Sequence, residues 1–251
     1  MPSLRWLAGR RLRGLSWQRG VARRPEPSRP LIVVADPHWG GTLTGLAEAT
    51  AAHPEADWLF LGDLFEVWVG VPGLEDPEAE AFLSWVDERR SAGRWVGLWL
   101  GNREFFLDRL AARFDLLGEG VGGSLPEEGL AWEHGDLLDG RDWAYRLMFL
   151  LFRSGPMWLF ARFAPRPWAR ATAAALRRRF AARPAASGYT VPQEALAQAA
   201  QTSGARCFLV GHFHCAAQAG VGHALPWAHG GRFQVWREGL LDSTDAPSSR
   251  P

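Results

Sequence analysis

Two features of this 251-residue chain predict an α/β layered fold. Five short apolar runs, RPLIVVAD, ADWLFLGD, GRWVGLWLGN, GLAWEHGD and ARCFLVGHFH, each stop abruptly at Gly or a polar residue. Helical patterns at 43–52, 76–91, 104–115 and 191–203 are interspersed with them. Buried strands alternating with helices place sheets against flanking helices. In such folds reactive groups collect where strands run out at their carboxyl edge. Every polar cluster of this chain falls at such an edge.

Taken in order, residues 1–30 hold eight Arg, one Glu and several Pro, and read as a leader: a membrane-surface helix over 1–20 or a loose tail. The layered domain follows over 31–240. Its last helix is opened by Pro192, at a first-turn position where a missing N–H costs nothing. Residues 141–187 break the alternation. They are rich in Trp, Phe, Leu and Arg, mostly helical in pattern, and interrupted at Ser154-Gly155-Pro156 and Pro165–Pro167. This stretch reads as a helical lid inserted between two strands, the alternative being a helix pair that closes the core with Arg on its wet side. The polar tail 241–251 is expected to be disordered.

The chain has no Lys, so all 28 basic residues are Arg. A genomic base-composition bias accounts for most of that excess, which removes weight from Arg abundance alone. The net charge of +1 conceals a segregation, because residues 143–193 carry nine Arg and no acid. Such sorting suits a surface that meets phosphates or a lipid headgroup plane. Interleaving with large aliphatics, and the absence of any base-reading motif, argue against nucleic acid. Two cysteines, Cys207 and Cys215, make no disulfide framework and fit a reducing compartment. The N-terminus lacks a signal-peptide core, and no run approaches the ~18 apolar residues of a membrane span. The longest apolar stretches, LMFLLF and GPMWLFA, are parted by Arg153 and Ser154. A cytoplasmic protein, peripheral on the inner membrane, is the expectation.

The strand ends offer Asp36-Pro-His38, Gly62-Asp63, Gly101-Asn102, His134-Gly-Asp136 and Gly211-His212-Phe-His214. Carboxylate, amide and neutral imidazole suit Mn²⁺, Fe²⁺, Zn²⁺ or Co²⁺ better than a thiolate metal. Two such ions sharing one carboxylate can activate water and clamp a phosphoryl group. That arrangement needs seven ligands with one of them shared, and the five strand ends supply those residue types. Any one piece is weak, since Gly-Asp is a common turn and Asn after Gly often a left-handed residue. Five in this order make a dimetal site the reading.

The pattern Asp-x-His, Gly-Asp, Gly-Asn, His, Gly-His-x-His resembles the calcineurin-like metallophosphoesterase superfamily. Three longer stretches, GDLFEVWVG (62–70), GNREFFL (101–107) and HGDLLDGRDWAY (134–145), resemble the UDP-2,3-diacylglucosamine pyrophosphatase family of lipid A biosynthesis. The likeness runs over 36–214, with the lid matching only in character. It implies a layered β-sandwich flanked by helices with a helical lid. It implies two divalent ions, most fittingly Mn²⁺, with Asp36, His38 and His214 on one, Asn102, His134 and His212 on the other, and Asp63 bridging. It further implies hydrolysis of a lipid-linked nucleotide, UDP-2,3-diacylglucosamine, by attack on the α-phosphorus, at the cytoplasmic membrane surface. Asn102, Arg103 and His212 would act in catalysis and substrate binding, and Asp142 and Tyr145 would contact the sugar–uridine half. A soluble phosphodiesterase or nucleotide pyrophosphatase with another substrate is the alternative. It is favoured by RRRFAARPAASGYT, which lacks the family's Asn and Lys substrate contacts; Ser187 or Arg178–Arg183 could stand in.

Arg103 stands where many metallophosphoesterases carry a His that protonates a departing alkoxide. A departing phosphate needs no proton but brings negative charge, and a guanidinium binds phosphate bidentately at any working pH. Arg103 therefore matches a diphosphate, or else pairs with Glu104 or another acid. Asp136 and Glu66 are either partners orienting ligating His rings or ordinary turn and helix residues. His53, His223, His229 and Cys215 read as non-ligating, and the 14 Trp as packing.

Overall fold

The computed structural model describes residues 20–40, 42–75, 77–120, 122–138, 147, 150–181, 190–226, 228, 233–237 and 239–243. The predicted mixed α/β architecture is present, with two six-stranded sheets flanked by helices. One sheet runs β12-β11-β2-β3-β4-β5, built from β2 (Leu31–Val34), β3 (Asp57–Phe60), β4 (Val96–Trp99), β5 (Leu116–Gly118), β11 (Gln234–Arg237) and β12 (Leu240–Ser243). The other runs β1-β6-β7-β8-β10-β9, from β1 (Gly20–Val21), β6 (Gly123–Leu125), β7 (Leu130–Glu133), β8 (Cys207–Val210), β9 (Ala217–Ala219) and β10 (Gly222–Ala224).

Alternation along each central strand decides which layer a side chain enters. Leu31, Val33 and Leu59 meet Leu130, Trp132, Cys207 and Leu209 between the sheets. Ile32, Val34, Trp58, Phe60 and Leu98 point the other way, onto α1 (Leu46–Ala52) and α2 (Pro77–Ser91) through Leu46, Phe82 and Val86. Ala131, Phe208 and Val210 likewise cover Leu196 and Ala200 of α5 (Gln193–Ser203). Strands buried on both faces explain why the sequence shows unbroken apolar runs rather than alternating ones. Residues 141–187 contribute α3 (Gly155–Phe163), capped by the Ser154 hydroxyl, and α4 (Arg166–Ala181). Both pack on Val67, Val69, Val71, Leu74 and Phe105.

Three sequence-based boundaries change. The helix expected over 104–115 is a 3-10 helix at Leu107–Arg113. Residues before it are held extended: the Trp68 N–H donates to the Arg103 carbonyl at 2.9 Å, and the Phe105 N–H donates to the Trp68 carbonyl at 2.6 Å. Phe106 then turns left-handed, with φ 59°. The leader boundary at 30 also falls inside the fold. Gly20–Val21 pairs with β6, and Arg24 is fully buried, donating to Glu128 and Asp57 across the two sheets. Residues 241–243 of the expected tail belong to β12. Residues 1–19 and 244–251 lie outside the described residues.

Removing one partner from a buried ion pair strands the others, at a cost of about 3–5 kcal/mol. Arg24→Met is expected to lower unfolding stability by about that amount, read from the urea midpoint at constant m-value. A loss below about 1 kcal/mol would mean the pair is no better than a surface one.

Candidate metal centre

Strands β2, β3 and β4 are parallel neighbours, as are β7 and β8, so their carboxyl ends open toward one place. Each expected motif lies just beyond one of them. Five of its residues leave the strand in the left-handed region: Asp36, His38, Asp63, His212 and His214, with φ between 44° and 67°. Non-glycine residues rarely adopt that backbone, and when several do so together the surrounding structure is enforcing it. The glycines beside them make room. A Cβ at Gly62 would stand 2.3 Å from the Gly101 nitrogen, and one at Gly101 would stand 2.4 Å from Asp63 Oδ1. The strand ends touch, which is why Gly-Asp and Gly-Asn recur.

All seven expected ligands converge. Asp36, His38 and His214 form one group whose donor atoms lie within 4.8 Å of one another, and Asp36, Asp63 and His134 form another. His38 Nε2 and His214 Nε2 are 3.0 Å apart. Asn102 Oδ1 stands 3.1 Å from both His134 Nε2 and His212 Nδ1. His134 Nε2 is 3.6 Å from Asp63 Oδ1, and its other nitrogen meets the Leu61 carbonyl at 2.7 Å, which fixes the ring.

Burial pushes His38 down to about 3 and His212 down to about 4, so both rings are neutral, as ligation requires. Burial acts the same way on His134, but Asp63, Asp36 and Asp136 outweigh it and raise that ring to about 9. Burial raises Asp36 well above the carboxylate range, against the pull of His134. On Asp63 burial is outweighed by His134, Arg103 and His38, and the carboxylate stays ionised. Asp36 Oδ1 is buried with no hydrogen-bond partner among the described residues. A buried oxygen without a donor, inside a cluster of imidazoles and carboxylates, is the environment of a cation rather than of a packed core. The donor set therefore fits a metal ion.

Arg103 lies beside this cluster, 12 % exposed, with its Nε 3.3 Å from Asp63 Oδ2, its Nη1 on Glu66 and the Phe180 ring 5.3 Å from its guanidinium carbon. Among the described residues, Glu66 thus pairs with Arg103. Asp136 is placed closely enough to act electrostatically on His134 and His212. Glu104 is not the surface acid that sequence allowed. It is fully buried and accepts from the N–H groups of Asp63, Leu64 and Gly101 at 2.7–2.9 Å, joining two ligand loops. Its place two residues after Asn102 gave no local sign of this, because the expected helix would have left it on a wet face. Asp142, Tyr145, Arg183 and Ser187 lie outside the described residues, and Arg178–Arg179 sit exposed on α4.

No protein-family model matches the chain. It is 33% identical over 129 residues to a UDP-2,3-diacylglucosamine hydrolase of Ralstonia nicotianae, covering 47% of each protein. The match therefore spans about half the length of that relative. It agrees with the resemblance read from the motifs. Among solved structures, a cold-active protein tyrosine phosphatase superposes over 89% of this chain and 79% of its own, with a TM-score of 0.41 and 12% identity. A likeness that distant carries no argument about the site.

Proposed function

We propose that this protein is a dimetal hydrolase that cleaves UDP-2,3-diacylglucosamine to UMP and 2,3-diacylglucosamine 1-phosphate. The observation that carries the reading is the convergence of Asp36, His38, Asp63, Asn102, His134, His212 and His214 with Arg103 alongside. Asp36, His38 and His214 would hold one ion; Asn102, His134 and His212 the other; Asp63 is shared, and Mn²⁺ suits the donors. Divalent ions there supply activated water and Lewis-acid polarisation of the phosphoryl oxygens. Arg103 binds the diphosphate and offsets the charge that gathers on the departing phosphate, which leaves without a proton. Asn102 and His212 orient the α-phosphoryl group, while Asp142 and Tyr145 hold the sugar–uridine half.

His134 keeps its proton between the ordinary imidazole value of 6.5 and about 9, so a cation must displace it in that window. Mn²⁺ affinity is expected to rise with pH from 6.5 to 9, with proton release on binding, read by calorimetry in buffers of different ionisation enthalpy. A flat affinity across that range would contradict the assignment of His134.

Val69, Leu74, Phe105, Phe160, Ala173 and Leu176 line an apolar cavity between lid and domain. Its volume of about 40 Å³ is far below the roughly 300–1,000 Å³ of a ligand pocket. Acyl chains would enter as α3 and α4 part from the domain. Phe163 and Trp168, 70% and 68% exposed, flank the α3–α4 corner among Arg162, Arg166 and Arg170. That composition suits a headgroup interface and would deliver the substrate from the cytoplasmic membrane surface. No helix among the described residues is long and apolar enough to cross a membrane.

The narrowness of the cavity favours a second reading, a nucleotide pyrophosphatase acting on soluble diphosphates. Leu176→Asp separates the two. Under the lipid reading it raises KM for UDP-2,3-diacylglucosamine about tenfold or more, the cost of an unpaired charge against an acyl chain. Hydrolysis of bis(p-nitrophenyl) phosphate changes only in kcat, by no more than about tenfold, with KM unmoved. Wild-type protein that prefers UDP-N-acetylglucosamine to the lipid substrate would decide for the second reading.

A further inference from the structure

Arg153 interrupts the apolar run of the lid and plays no part in the site described so far. Its side chain is 11% exposed, and Nη1 pairs with Glu119 at 2.9 Å. Nη2 donates to the carbonyl of Gly101 and, at 3.0 Å, to that of Glu104. Those two carbonyls bracket Asn102 and Arg103. The same segment is also held by the Glu104 carboxylate, which receives the Gly101 N–H, and by Asp63, which receives the Arg103 N–H at 3.0 Å. Lid rings complete the grip: Phe152 lies 6.2 Å from Phe105, and Phe180 lies over the Arg103 guanidinium.

We propose that Arg153 is a positioning residue that couples lid closure to the placement of Asn102 and Arg103. A guanidinium bridging two carbonyls three residues apart fixes the turn between them, and its stem belongs to the lid. When the lid lifts, the bridge breaks and the turn carrying a metal ligand and the phosphate-binding Arg loosens. When it closes, the turn is set. Filling the lid chamber thereby sharpens the reacting geometry several residues away. The inference rests on the proposed function only in taking Asn102 and Arg103 to face a phosphoryl group.

Two measurements on the full chain test it. Amide hydrogen exchange of the metal-free protein is expected to rise about tenfold at Gly101, Arg103 and Phe105 in Arg153→Ala, with an intermediate rise in Arg153→Lys. With Mn²⁺ bound, kcat for bis(p-nitrophenyl) phosphate is expected to fall about tenfold in the Ala variant while KM moves little, and to recover in part with Lys. If the Ala variant does not fold, the Lys variant carries the test, since it keeps the charge but not the planar fork. Unchanged exchange in 100–106 together with unchanged kcat, in a variant whose melting temperature drops, would reduce Arg153 to a lid anchor and overturn the proposal. Wild-type turnover of the diester without cleavage of UDP-2,3-diacylglucosamine would sink the lipid assignment while leaving the Arg153 result to be judged on its own.

Discussion

If two Mn²⁺ ions are bound as proposed, Asp63→Asn is expected to cut hydrolysis by about a thousandfold and to lower bound Mn²⁺ to one ion per chain or fewer. Asp63 is the ionised carboxylate of the cluster, 3.6 Å from His134 and within reach of Arg103 through both Nε and the main-chain N–H. Asn preserves the shape and the left-handed turn but removes the charge two ions would share. Losing about 4 kcal/mol of transition-state stabilisation corresponds to that rate. Metal analysis after gel filtration and initial rates on bis(p-nitrophenyl) phosphate check it together. A variant that keeps two ions and more than a tenth of the rate would remove Asp63 from the shared position. The Asp63 N–H remains held by Glu104, and the Asn side-chain oxygen can still accept the Arg103 N–H, so the fold of both loops is kept.

Arg103→Ala is expected to lower kcat on the diphosphate substrate by about a hundred- to a thousandfold, the usual loss for one preorganised donor. On bis(p-nitrophenyl) phosphate the loss is expected to stay within about tenfold, because p-nitrophenolate carries one delocalised charge and departs without a clamp. Lys should restore part of the diphosphate rate through its charge, without the bidentate fork. Equal losses on both substrates would mean that Arg103 serves Asp63 and Glu66 structurally rather than the leaving group.

The central strands and the converging site residues were readable because one constraint produced both. A strand buried on two faces is an unbroken apolar run, and the first polar residue after it is the one delivered to the carboxyl edge. Asp36, Asp63, Asn102 and His212 are all found in that way, while His134 follows Glu133, the polar last residue of β7. The short strands β1, β5, β6, β9 and β10 were not, because two or three residues carry no period. Glu104 was misjudged for a different reason: its role is set by a backbone ladder between Trp68 and Phe105 that no local pattern announces. Arg24 looked like one more leader arginine, since its partners lie 33 and 104 residues away. Arg153 looked like an interruption of an apolar helix, although its position beside Gly101 is what gives it a use. The left-handed backbone of five site residues likewise follows from tertiary enforcement and not from their own preference.

The most direct test of the central claim is phosphorus NMR of the products from UDP-2,3-diacylglucosamine and Mn²⁺-loaded protein in 18O-labelled water. The label is predicted to appear in UMP and not in the lipid 1-phosphate, placing attack on the α-phosphorus with an unprotonated phosphate departing past Arg103. Label in the lipid phosphate, or no cleavage by protein that binds two ions and hydrolyses the simple diester, would contradict it.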